Sequence, residues 1–283
     1  MTVDRADAHI HLFRRGYREG FTARPGVRVD EVACFESLAA DHHVTAAFVV
    51  GYAAEDWCRE NNRFLAEQLA RHAWIHAVAF VAGSDQLTIE RLESWRGQGF
   101  VGISLYLFDE SDARLLQQRP DEIWEWLVAN RWLISVNSRG RWWEAWLPVL
   151  ERHGTLRVVI SHLGLPPAVS RPPGDKAARQ ALDGPLLMAN FPGPRIKLSG
   201  FYVLTSPGHD YPHEAAWPYV ECLRAAFGVD RLLWGSDYSP CLDSLTYPQT
   251  FTIFDKMPFF SAGDRQRITG GNLHGLLTEA RRS

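Results

Sequence analysis

Eight short apolar runs, each separated from the next by a longer stretch of helical periodicity, constrain this 283-residue chain more than any other feature. The runs are AHIHL (8–12), VTAAFVV (44–50), WIHAVAFV (74–81), FVGISLYL (100–107), WLISVN (132–137), LRVVISH (156–162), RIKLSG (195–200) and RLLWGS (231–236). Between them the periodicity predicts helices over 30–42, 56–72, 85–97, 121–131, 143–153, 175–189 and 214–227, with one or two more after residue 245. Asp30, Ser84 and Asp121 stand where a side-chain oxygen would cap three of these helices. A strand buried on both faces reads as a near-continuous apolar run, as most of these do. Strand and helix units repeated eight times close naturally into an α/β fold, the (β/α)8 barrel. The Pro/Gly-rich segment LGLPPAVSRPPGD (163–175) reads as a loop after the sixth strand, and no composition shift divides the chain, so residues 1–283 are expected to form a single domain. An open doubly wound sheet would announce a nucleotide with a GxGxxG turn after its first strand, and LFRRGYREG lacks that spacing.

In a barrel the reacting groups stand where strands end. Strand one ends in His9 and His11 of DAHIH, strand six in His162 of VVISHLG, and strand eight in Asp237 of LLWGSDYSP. Simple alternation predicts Asp7, His9 and His11 on one face of the first strand, with Ala8, Ile10 and Leu12 on the other. Taken singly, each has an ordinary structural role open to it: a hydrogen-bonded core histidine, or an aspartate capping a turn. Together they fall at one rim, because closure makes strands one and eight neighbours. A carboxylate buried beside imidazoles points to chemistry rather than packing.

The balance of 30 basic against 33 acidic residues offers no long-range attraction for nucleic acid or an anionic membrane. Four cysteines without a CxxC pair indicate neither a disulfide framework nor a thiolate zinc site. MTVDRADAHIHLF places charges where a signal peptide needs an apolar run, and no segment approaches the roughly 18 apolar residues of a membrane span. A cytoplasmic protein acting on a small molecule, with homo-oligomerisation open, is the expectation. Basic and aromatic segments, RRGYR (14–18) and SRGRWW (138–143), follow strand ends one and five, which suits a substrate carrying negative charge or hydroxyls. Arg139 and Arg141 are candidates for forked contacts to a carboxylate, with solvated loop cations as the alternative. Asn137, Tyr202 and Tyr238 are further candidates for substrate contact.

DAHIH, SHLGLP, IKLSGFY, RLLWGSDYSP and ITGGNLHGLL together resemble the amidohydrolase-related group of the amidohydrolase superfamily, almost from end to end. The SHLGLP loop and the KLSG strand are more similar to the lactonase branch, which includes sugar lactonases and pyrone-dicarboxylate lactonases, than to the decarboxylase branch. The resemblance implies a barrel hydrolase that opens a cyclic ester with an activated water. It also implies roles: Asp237 deprotonates the water and later protonates the leaving oxygen, while His9, His11 and His162 polarise the carbonyl, through a metal or as direct donors. Metal-dependent relatives place a carboxylated Lys or a Glu on strand four, or a His on strand five. FVGISLYL offers neither, and Asn137 stands where that His would be, so a binuclear centre is not expected. One zinc held by His9, His11 and Asp237, and a metal-free site, both remain open. Two other readings also stay open: a metal-dependent decarboxylase of an unsaturated dicarboxylic acid, which would need the strand-five histidine, and a non-catalytic barrel that binds a small molecule.

Overall fold

Each of the eight apolar runs forms a parallel strand in the computed structural model, which describes residues 4–19 and 29–281. They are β1 (Arg5–Ile10), β2 (Val44–Val50), β3 (Ile75–Phe80), β4 (Gly102–Leu107), β5 (Leu133–Ser138), β6 (Arg157–Ile160), β7 (Arg195–Leu198) and β8 (Leu232–Trp234). Neighbours in sequence are neighbours in the sheet. The ring closes at the rim, where Ile10 bridges Tyr238, the His11 N–H donates to the Tyr238 carbonyl (2.6 Å) and the Asp237 N–H to the His9 carbonyl (2.8 Å). The architecture is the (β/α)8 barrel. Among the described residues no helix is long and apolar enough to cross a membrane. Gly20, the last residue of the LFRRGYREG turn, lies outside the described residues.

The helices follow the predicted order with local corrections. Asp30 caps Glu31–Asp41 by accepting from the Ala33 N–H, but Thr88, not Ser84, caps Ile89–Gly97. Asp121 is the first residue inside Asp121–Ala129, where its carboxylate meets Arg152 and His153. The helix predicted over 56–72 is a 3₁₀ turn, Asp56–Cys58, followed by Asn61–Leu69. Residues 175–189 divide at Leu182 into Asp175–Ala181 and Asp183–Met188, because Pro185 has no amide hydrogen to continue the ladder. Pro148 and Pro218, fitted to a first helical turn, start Leu147–Arg152 and Trp217–Phe227 later than their patterns suggest. A helix not foreseen, Glu110–Gln117, follows β4, capped by Asp109.

The largest departure lies in β1. Against β2, Asp7 pairs with Ala47 and Ile10 with Val49, so three steps on β1 match two on β2. The inserted residue is a β-bulge, and it reverses the parity of every side chain beyond it. Asp7 therefore does not share a face with His9 and His11, nor Ala8 with Ile10 and Leu12. Ala6 and Ala8 join the apolar interior, while Ile10 and Leu12 pack in the layer between barrel and helices. The bulge turns both imidazoles inward.

The interior has two levels. At the strand starts Ala6, Val101, Leu133 and Leu233 meet Leu273, Leu276 and Leu277 of the terminal helix Asn272–Arg281, which closes that end. Above them Ser104, Ser135, Ser161 and Lys197 form a buried polar level.

Candidate active site

His9, His11, His162 and Asp237 converge at the C-terminal rim, all at most 8% exposed. His9 Nε2 lies 3.1 Å from His11 Nε2, and Asp237 Oδ1 lies 3.5 Å from the first and 3.7 Å from the second. The His162 ring is 4.5 Å from that of His9, and its Nδ1 lies 3.0 Å from the Ser199 hydroxyl. The Tyr202 hydroxyl donates to Asp237 Oδ2 at 2.6 Å, which leaves Oδ1 turned toward the histidines. Backbone shape makes this meeting possible: His162 (φ 51°) and Asp237 (φ 63°) both occupy the left-handed region, which non-glycine residues seldom adopt and which clusters at functional sites. Close approach matters too. A Cβ on Gly235 would stand 2.6 Å from His9 Cβ, and one on Gly200 (φ 69°) 2.6 Å from His162 Nδ1.

Below the histidines lies Lys197, fully buried on β7. Its Nζ is 3.1 Å from His9 Nδ1, 2.7 Å from the Ser135 hydroxyl and 3.4 Å from that of Ser161, and it stands over the Phe48 ring. Burial holds the Lys197 amine well below the usual lysine range. Burial likewise lowers all three imidazoles, His9 further because Lys197 adjoins it, and His11 to about 4 despite the opposing pull of Asp237. The rings are neutral at pH 7. Asp7, with no place in the cluster, ties β1 to β8: its Oδ1 accepts from the His9 and Ser236 N–H groups and its Oδ2 from the Tyr247 hydroxyl. Those donors favour the carboxylate, yet burial outweighs them and pushes Asp7 up to about 7.

The donor set suits a single metal ion by type, and ligand atoms of His9, His162 and Asp237 all lie within 4.8 Å of one another. The separations among His9, His11 and Asp237 (3.1, 3.5 and 3.7 Å) bracket the roughly 3.3 Å between two ligands of a tetrahedral zinc with bonds of about 2.0–2.1 Å. No bridging Lys or Glu faces this point from β4, whose inward residues are Ser104 and Tyr106.

The family model described as "Amidohydrolase" matches residues 6–272. The chain belongs to the amidohydrolase family. An L-fucono-1,5-lactonase of Burkholderia multivorans is 27% identical over 228 residues, 75% of each chain. A zinc-bound amidohydrolase structure from the same species shares the fold with a TM-score of 0.75 at 22% identity, covering 97% of this chain and 99% of that one. A probable 2-pyrone-4,6-dicarboxylic acid hydrolase from Acinetobacter baumannii, solved with citric acid bound, gives 0.72 at 21% identity over 97% and 99%.

Within this amidohydrolase the other candidates fall in different places. Asn137 faces the interior beside Tyr106, its register partner on β4, and its Oδ1 is buried without a hydrogen-bond partner among the described residues. Tyr202 stands at the site, where its hydroxyl is engaged with Asp237. Tyr238 belongs to the outer layer: its ring packs on Phe35 and Tyr247, and its hydroxyl donates to the Glu31 carbonyl. Arg139 and Arg141 are exposed, stacked on Phe108 and Trp142, and among the described residues neither bonds to the histidines. Phe13 stacks on His11 and meets Trp57; Phe13 and Trp57, with Arg14, Arg15, Asp56 and Glu60, line a cavity of about 330 Å³. Sequence reasoning missed Lys197, although a lysine between Ile196 and Leu198 in an interior strand was a visible signal, since alternation sends it to the face opposite its apolar neighbours.

Proposed function

We propose that this amidohydrolase hydrolyses the cyclic ester of a polar or carboxylated small molecule, with Asp237 as the general base. One observation carries this reading: Asp237 is held by Tyr202 through one oxygen and presents the other to the imidazoles of His9 and His11 at the rim, with His162 beside them. The 27% identity to an L-fucono-1,5-lactonase supports a lactone of the sugar-acid type.

Lactone opening needs a deprotonated water, a donor for the oxyanion, and a proton for the departing alkoxide. Asp237 Oδ1 accepts the water proton, and the resulting hydroxide adds to the carbonyl carbon. Imidazole N–H groups of the histidine cluster face the developing oxyanion. When the tetrahedral intermediate collapses, the ring C–O bond breaks and Asp237 returns its proton to the leaving oxygen. A zinc ion held by His9, His11 and Asp237, with His162 beside it, would supply Lewis-acid polarisation of the carbonyl. Asn137 and Tyr106 orient the substrate's polar groups from β5 and β4, and Arg139, Arg141 and the Arg14 and Arg15 cavity offer charge to a carboxylate. The test is a panel of aldono-1,4- and 1,5-lactones and pyrone dicarboxylates, read by acid release. Turnover of at least one by the parent, and of none by Asp237→Asn, is expected; an inactive parent across the panel would end the lactone reading.

A further inference from the structure

The inward side chains at the rim differ in kind around the ring. Val50 and Val78 point into the barrel, and alternation carries that direction two residues on, to Tyr52 after β2 and Phe80 at the end of β3. Tyr106 and Phe108 continue the row from β4. The rings meet: between centroids Tyr52 lies 5.0 Å from Tyr106 and 5.6 Å from Phe80, while Tyr106 lies 5.8 Å from Phe80 and 6.3 Å from Phe108. None of the four belongs to the apolar interior or to the layer between barrel and helices. Tyr52, Tyr106 and Phe108 are half-buried, although they stand at inward positions where the mouth of the barrel is the way to solvent. The Tyr52 hydroxyl donates to Glu55, which also accepts from Trp57 Nε1, so Tyr52 offers a ring face rather than a polar group. The row begins beside the reacting groups, since His11 Nδ1 lies 2.9 Å from the Val50 carbonyl, and it ends under the Arg139 guanidinium, 5.7 Å over the Phe108 ring. From β5 to β8 the same rim carries Asn137, His162, Ser199 and Asp237 instead.

We infer that Tyr52, Phe80, Tyr106 and Phe108 form an apolar subsite beside the reacting centre, which takes an alkyl or aryl substituent carried on the lactone ring. Such a group laid on these rings removes apolar surface from water on both sides, whereas a hydroxyl or carboxylate placed there would lose its hydration against ring carbon. The substrate is then two-sided, with polar groups toward β5–β8 and an apolar group toward β2–β4. The subsite rests on the proposed function for the identity of the ring that carries the substituent. Lactams keep that ring and its carbonyl, and their binding needs no turnover, so failure of the subsite and failure of lactone hydrolysis are distinguishable.

The experiment is calorimetric titration of the full-length protein with δ-valerolactam, with its phenyl derivatives substituted at each ring carbon in turn, and with the matching hydroxymethyl derivatives. At one ring position or more, the phenyl compound is expected to bind on the order of 10-fold tighter than δ-valerolactam, and tighter than its hydroxymethyl counterpart. That ratio, taken within each protein, should fall to near one in Tyr52→Ser and persist in Tyr52→Phe, which keeps the ring. A phenyl group that adds nothing at any position, no measurable binding of any compound, a hydroxymethyl gain that matches the phenyl one, or an unchanged ratio in Tyr52→Ser overturns the assignment. The comparison among lactams uses the parent protein alone, so it decides the question even if a variant fails to fold.

Discussion

The two ends of the barrel are built from the same eight strands and obey opposite rules. At the strand starts the interior is closed by Leu133, Leu233, Leu273, Leu276 and Leu277, with no polar side chain among them. At the strand ends His9, His11, His162 and Asp237 crowd one point, with Lys197 beneath, all nearly excluded from water. Burial favours folding when the buried atoms are apolar and opposes it when they are charged or polar, so the second region persists because the first, and the shell of helices, outweigh its cost.

If this division holds, substitutions at one end change turnover and those at the other change stability. Asp237→Asn should have the largest effect, a loss of turnover of about 10²-fold or more with the folding transition retained. A loss of only a few-fold, measured on the best lactone of the panel, would remove Asp237 from the role of base. Leu133→Ala at the closed end should cost about 2–5 kcal/mol by leaving a cavity, lowering the unfolding midpoint while kcat/KM below the transition stays unchanged. Should kcat/KM fall in step with stability, the two ends are coupled and the comparison breaks.

Asp7 sharpens the comparison because it is a buried acid with a structural task at the reactive end. Its folded pKa of about 7 stands above the roughly 3.9 of an unfolded chain, so the folded state holds the proton more tightly between those values. The associated stability is present below about pH 4 and is lost as the pH rises toward 7. Urea unfolding at pH 5 and pH 7.5 is therefore expected to show the parent losing up to a few kcal/mol relative to Asp7→Asn. Parallel behaviour of the two proteins would mean that Asp7 stays ionised throughout, held by its three donors. The smallest effect belongs to the exposed cations: Arg139→Ala or Arg141→Ala should raise KM for a carboxylated lactone a few-fold with kcat intact, the mark of uniform binding. If KM is unmoved in both, the acidic group of the substrate is met elsewhere, with the Arg14 and Arg15 cavity the next place to test.

Much of this was legible in the chain itself. Eight apolar runs in one order dictate the barrel because hydrophobic periodicity is local and right-handed crossovers leave few topologies. His9, His11, His162 and Asp237 could be named because in this fold strand ends face a common rim. Three things were decided only by tertiary structure. The bulge that separates Asp7 from the histidines exists only in the pairing of β1 with β2, which no single-strand pattern contains. Tyr238 leaves the site although it follows Asp237, because the left-handed turn at Asp237 sends successive side chains to different layers. Lys197 meets residues on β1, on β5 and just beyond β6 that lie 188, 62 and 36 positions away, and no local pattern brings groups so far apart in sequence within hydrogen-bond reach of each other.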